Sequence, residues 1–195
     1  HPEYRRQRQM CIRDRFTSFF KTKKYLIGLF VGLFLFSNCS QEIPIDIPFS
    51  LSEFDGELLN HVGEKISSSN LEGKFLGIYF SAYWCPPCQE FTPKLVEFRN
   101  KNVEDFEVVF VSSDYDQEEQ FNYIKEAKMK WLTVPIDSNV SLSLSEKFQV
   151  ASIPTLVVIS PQGKAISKKG RDHVSNSPAN AIENWKSLAS ASAED

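Results

Sequence analysis

Trp84-Cys85-Pro86-Pro87-Cys88 restricts the folds open to this chain more than any other stretch. It follows directly on Phe75 to Ser81 (FLGIYFS), a short apolar run of the buried-strand type. A residue that precedes proline is steered away from the α-region, so a helix is expected to begin at Pro87 and not before. Pro87 itself suits a first helical turn, where its missing N–H is not needed. A strand must therefore end and a helix begin around the two cysteines, with Cys85 at the helix N-terminus and Cys88 in the first turn.

That placement carries chemistry. A thiolate at a helix N-terminus is stabilised by unpaired backbone N–H groups and by the positive end of the helix dipole, which lowers the pKa expected for Cys85. Cys88 lies further inside and is expected to be less exposed. Attack by Cys85 on a disulfide gives a mixed disulfide, and attack by Cys88 then releases the reduced partner. Zinc would need two more ligands, whereas His61 and His173 stand alone and the domain has no third cysteine, so neither metal nor cofactor is expected. A purely structural disulfide in this four-residue loop is the blander alternative.

The other elements follow from periodicity. With 195 residues, of which 42% are hydrophobic, the chain has material for one packed domain plus extra sequence. A net charge of -3 without long single-sign blocks argues against a nucleic-acid partner. A short hairpin is expected within 57–67 and a turn at Leu71 to Lys74. Phe91, Leu95 and Phe98 continue the first helix to about Asn100, with Pro93 as a point of bending. Val108 to Val111 reads as a strand, Asp116 to Lys128 as a helix capped by Asp114 or Asp116, and Leu142 to Phe148 as a shorter helix. Thr155 to Ser160 and Ala165 to Lys169 read as strands joined by a turn, and Ser177-Pro178 opens a last helix that presents Ile182, Trp185, Leu188 and Ala189. This order makes an α/β fold with a mixed central sheet flanked by helices.

Residues 1–20 have no periodicity that would bury anything; the arginine-rich part resembles a translated sequencing-adapter stretch and is expected to be non-native or disordered. Residues 21–39 read as a signal peptide: Lys21, Lys23 and Lys24 precede an uncharged run of 12 residues, Tyr25 to Phe36, against the roughly 20 that a membrane-crossing helix needs. Leu35-Phe36-Ser37-Asn38-Cys39 resembles a bacterial lipobox, which implies lipidation at Cys39; ordinary cleavage and a retained anchor are the other readings. Residues 40–54, with Pro44 and Pro48, read as a tether, and 55–190 as the folded domain.

Several blocks of the domain resemble the thioredoxin superfamily, and within it the tryparedoxin and nucleoredoxin branch. They are Tyr79 to Leu95 around the two cysteines, Glu107 to Asp114, Trp131 to Pro135, Ile153-Pro154-Thr155-Leu156 and Gly170-Arg171. The resemblance implies a thioredoxin fold with a cis peptide bond at Ile153-Pro154 beside the cysteines, and a partner segment pairing with the backbone of Ile153. It also implies that Trp84 and Pro86 meet the substrate and that Arg171 meets acidic partners. Thioredoxins carry a buried aspartate six residues before the first cysteine; here that position is Tyr79, which leaves the proton acceptor for Cys88 open.

The function implied is thiol–disulfide oxidoreduction on disulfide-containing or dithiol proteins by an exported, membrane-anchored monomer on the periplasmic side. A membrane electron donor is expected to keep such a protein reduced. A reductase dedicated to cytochrome c maturation and a redox-inactive peptide-binding module are the rivals. The motif does not settle the direction of electron flow.

Overall fold

The computed structural model describes residues 45–54 and 56–192. The expected extension at 1–20 and the leader at 21–39 with its lipobox Cys39 lie outside the described residues. Among the described residues, six strands form one mixed sheet in the order β1-β6-β5-β2-β3-β4. The strands are β1 (Ile47–Pro48), β2 (Phe75–Ser81), β3 (Phe106–Ser112), β4 (Leu132–Thr133), β5 (Thr155–Ile159) and β6 (Lys164–Ser167). The helices are α1 (Pro86–Lys101), α2 (Gln117–Glu126), α3 (Asn139–Lys147), α4 (Gly170–Asn176) and α5 (Ala181–Ala191).

The central strands β2 and β3 run parallel, and every residue of both is buried. Continuous burial is what a strand covered on both faces shows, and it explains why their sequences are apolar runs without alternation. The period of two persists in where the side chains go. Phe75, Tyr79, Phe106, Val108 and Phe110 enter one core, with Phe91, Leu95 and Phe98 of α1, Tyr123 and Ile124 of α2, Val174 of α4 and Trp185 of α5. Leu76, Ile78, Phe80, Val109 and Val111 enter the other, with Val140 and Leu144 of α3 and Phe49 and Phe54 from the N-terminal side. At Gly77 a Cβ would come within 2.8 Å of the Phe106 ring, so the centre of β2 admits only hydrogen there.

The sequence places β2, β3, β5 and the body of α1 well, and the differences lie elsewhere. Helix α1 starts at Pro86, one residue earlier than the pre-proline argument allows. Both prolines occupy positions whose N–H groups have no intrahelical acceptor, so neither costs the helix a bond. The helix runs on through Pro93 without interruption. The expected hairpin at 57–67 is a tight loop closed by a single bridge, Leu59 to Lys65, while Leu59 also pairs with Thr133.

The described part of the expected tether is not loose chain. Ile47–Pro48 pairs antiparallel with β6, Phe49 donates its N–H to the Gly163 carbonyl at 2.8 Å, and Phe49 and Phe54 are buried. Two large aromatic side chains five residues apart supply enough apolar area to hold a proline-bearing edge strand in place. Helix α3 begins three residues before the expected Leu142, because the Ser138 side chain caps it by accepting from the Ser141 N–H. The last helix is preceded by a 3-10 turn at Pro178–Asn180. Strand β4 and helix α4 have no counterpart in the sequence reading; a two-residue strand and a seven-residue helix are too short to show a period.

Candidate thiol–disulfide site

The end of β2 and the start of α1 bring the two cysteines together. Cys85 is the N-cap of α1, and Cys85 and Cys88 form a disulfide with their Cα atoms 5.2 Å apart. Cys85 is 4% exposed and Cys88 fully buried, the order expected from their places in the helix. Ala82 and Ile153 pack against the pair. One part of the sequence argument changes. Pro86 and Pro87 contribute no N–H, and the N–H groups of Cys88 and Gln89 both go to the Cys85 carbonyl, at 3.0 and 3.1 Å. The first turn therefore offers the Cys85 sulfur the field of the helix dipole, equivalent to about half a unit charge, and not free backbone donors.

The loop from β3 to α2 forms a wall beside Cys85. The Trp84 indole donates to the Ser113 carbonyl at 3.0 Å, and the Tyr83 N–H donates to the Asp114 carboxylate at 2.6 Å. Asp114 also accepts from the Ser112 hydroxyl at 2.6 Å. Burial raises the Asp114 carboxyl above its ordinary value, and these two donors offset only part of that. The Tyr83 carbonyl accepts from the Gln89 amide, and the Tyr83 hydroxyl donates to Glu126 at 2.8 Å. The short loop before Cys85 is thus tied at its backbone N–H, its carbonyl and two side chains.

Beneath Cys88 lies a buried cluster of hydroxyls. Thr92 Oγ1 donates to the Cys88 carbonyl at 2.9 Å. The Tyr79 hydroxyl, at 2.8 Å, and the Tyr123 hydroxyl meet the same Thr92 oxygen. A threonine hydroxyl has one proton and two lone pairs. With the proton on the Cys88 carbonyl, both tyrosines must donate to Thr92. Burial first, and the neighbouring Tyr123 second, push the Tyr79 hydroxyl well above the phenol range. Tyr79 is therefore a fixed donor and no substitute for a carboxylate base.

The remaining residues singled out from the sequence are placed as follows. The Ile153–Pro154 bond is cis, Pro154 is buried and Ile153 half-buried against the cysteines. Pro86 is exposed on the first turn of α1. Arg171 is exposed in the first turn of α4, where the neighbouring Lys169 bridges Leu156, two residues beyond Pro154. Of the two α2 glutamates read as solvent-facing, Glu118 is exposed, but Glu119 is half-buried and accepts from the Tyr115 N–H at 3.2 Å. Sequence reasoning missed Thr92 and Tyr123 and took Asp114 only as a candidate cap, a role that Asp116 fills. Thr92 had a signal, since it lies four residues after Cys88 on the same helix face. Tyr123 had none.

A family model described as Thioredoxin-like matches residues 73–165. The chain is 41% identical over 132 residues to tryparedoxin from Trypanosoma brucei brucei, covering 66% of this chain and 90% of that one. It is 43% identical over 125 residues to nucleoredoxin from Mus musculus, covering 62% of this chain but only 28% of that longer protein. Among solved structures, tryparedoxin II from C. fasciculata matches with a TM-score of 0.61 at 36% identity, over 67% of this chain and 89% of that one. The chain belongs to the thioredoxin-like family of thiol–disulfide oxidoreductases, in the group of the tryparedoxins and nucleoredoxins.

Proposed function

We propose that this protein exchanges disulfides with partner proteins through Cys85 and Cys88. The observation that carries this reading is the Cys85–Cys88 disulfide at the N-terminus of α1, packed against Ile153 of the cis Ile153–Pro154 bond. In the reducing direction the Cys85 thiolate attacks one sulfur of a partner disulfide. That S–S bond breaks, a Cys85–partner disulfide forms, and the partner's other sulfur leaves as a thiolate and takes up a proton. Cys88, as a thiolate, then attacks Cys85 Sγ and expels the partner's remaining cysteine. Two electrons pass to the partner, the protein is left as the disulfide, and an external dithiol donor restores it.

Reduction of insulin by wild type and by Cys85→Ser is the direct test. Wild type is expected to be active and the variant inert; equal activity would remove the enzymatic reading. The midpoint potential of the Cys85/Cys88 pair then gives the direction of electron flow.

We further propose that the 21–39 leader exports the protein to the periplasmic side and that Cys39 carries a lipid anchor, with a membrane protein as the dithiol donor. The basic residues, the uncharged run and the cysteine that closes it support this reading. Labelling with a palmitate analogue is expected to mark wild type and not Cys39→Ala. Absence of label, or label that survives the substitution, rejects the anchor.

A further inference from the structure

Trp84 and Tyr115 together form an exposed aromatic surface next to the nucleophile. Trp84 is 50% exposed and Tyr115 is 78% exposed, and their ring centroids lie 6.3 Å apart with the planes tilted by 33°. A lone exposed aromatic needs no explanation. These two differ because they lie against each other and the Trp84 ring is itself held. The Trp84 indole is anchored to the Ser113 carbonyl at 3.0 Å, and the Tyr115 backbone N–H to Glu119 at 3.2 Å. Trp84 immediately precedes Cys85, while Ile153 packs against the cysteines from the β5 side.

A pre-positioned aromatic surface loses little side-chain entropy when it is covered, and tryptophan and tyrosine held this way are the residue types that dominate binding surfaces. The flanking chemistry narrows the occupant. Asp116 and Glu118 are exposed on the same segment, so an acidic partner segment is repelled, and the two exposed rings themselves favour an apolar side chain.

Resting on the oxidoreductase reading above, we propose that Tyr115 and Trp84 form a specificity platform. Its occupant is an extended segment of the partner protein whose reacting cysteine adjoins an aromatic or large aliphatic residue, and that residue packs on the two rings while Cys85 attacks the cysteine. Tyr115 is a specificity residue, not a catalytic one, since it touches the partner and not the reacting sulfurs.

The test uses the full chain, reduced beforehand, and two peptides whose single cysteine is disulfide-bonded to 5-thio-2-nitrobenzoate. One peptide has Phe beside the cysteine and the other Gly. Release of the coloured thiolate reports capture of the mixed disulfide by Cys85, at once when the peptide sulfur is attacked and on resolution by Cys88 when the nitrobenzoate sulfur, common to both peptides, is attacked. The rate with Cys85→Ser is subtracted as background from the remaining thiols. Wild type is expected to react faster with the Phe peptide. Tyr115→Ala is expected to lower that rate constant about fivefold, the size of an aromatic contact, and the Gly peptide's less than twofold, with Tyr115→Phe restoring the preference. Equal losses on both peptides, or none on either, overturn the platform while leaving the oxidoreductase reading intact. A wild-type rate no greater than that of Cys85→Ser overturns the reading itself.

Discussion

Helix α1 is held by different chemistry at its two ends. At the C-terminal end Phe98 sits among rings: its centroid is 5.4 Å from Phe106 and 5.5 Å from Trp185, and those two are 5.0 Å apart. Arg99 closes that end by pairing with Glu107, its Nε 2.8 Å from Oε1. At the N-terminal end the helix rests on hydroxyls, through Thr92, Tyr79 and Tyr123, and on a loop fixed by Asp114. Ring packing contributes through area and fit and is indifferent to small shifts in charge. A hydroxyl cluster contributes little net energy but fixes direction, because its donors converge on the one Thr92 oxygen. The far end therefore anchors the helix, and the near end aims it.

The largest effect that would sharpen this contrast is expected from Phe98→Ala. Loss of a buried ring should cost about 3–5 kcal/mol of stability in urea denaturation. The rate of disulfide exchange per folded molecule should stay within about twofold, since the substitution lies at the end of α1 remote from the cysteines. A severalfold loss of that rate would mean that the two ends are not separable.

Thr92→Val comes next. It keeps the shape but takes the acceptor from the Tyr79 hydroxyl and leaves the Tyr123 hydroxyl only Ser81, at 3.4 Å, at a cost of about 1–3 kcal/mol for an unsatisfied buried group. Here the exchange rate is expected to fall severalfold as well, with Thr92→Ser restoring most of it. A stability loss with no change in rate would show that the hydroxyls only fill space.

The smallest effect is a pH dependence. Burial holds the Asp114 carboxyl above its ordinary value of 3.8, so the folded protein binds that proton more tightly than the unfolded chain does. Stability from this group therefore rises as pH falls through the raised value toward 3.8, and a constant penalty applies above that window. Asp114→Asn, which can still accept from the Tyr83 N–H, is expected to abolish that rise and to be the more stable protein at neutral pH. Urea midpoints of both proteins across the acid range check this. Parallel pH profiles would show that the carboxylate is not the titrating group.

Much of the site was legible because its chemistry is local. Two cysteines, two prolines and the strand before them lie within fourteen consecutive residues, 75–88, so strand end, helix start and thiol pairing follow from short-range sterics. The blocks at Ile153-Pro154 and Glu107 to Asp114 carried the family resemblance. Less legible were the parts that depend on residues distant in sequence. Tyr115 and Trp84 meet across 31 positions, as do Thr92 and Tyr123, and no period or spacing announces such pairs. Residues 45–54 misled for a related reason: Pro48, with Pro44 just before the segment, made it read as a tether, and what holds it is burial of Phe49 and Phe54 against elements far along the chain.

By itself, the amino-acid sequence determined which sulfurs pair. The Cys-Pro-Pro-Cys spacing puts one sulfur at the helix N-cap and the other one turn in, and proline's fixed φ and missing N–H suffice for that. Only the tertiary structure decided what surrounds those sulfurs. It showed that the two prolines and the Cys85 carbonyl leave the thiol no free backbone donors. It filled the place of a buried carboxylate with Tyr79 as a donor, and it set Tyr115 beside Trp84. Those outcomes depend on which side chains compete for the same acceptor or the same space once the sheet has formed, and that competition has no image in the linear chain.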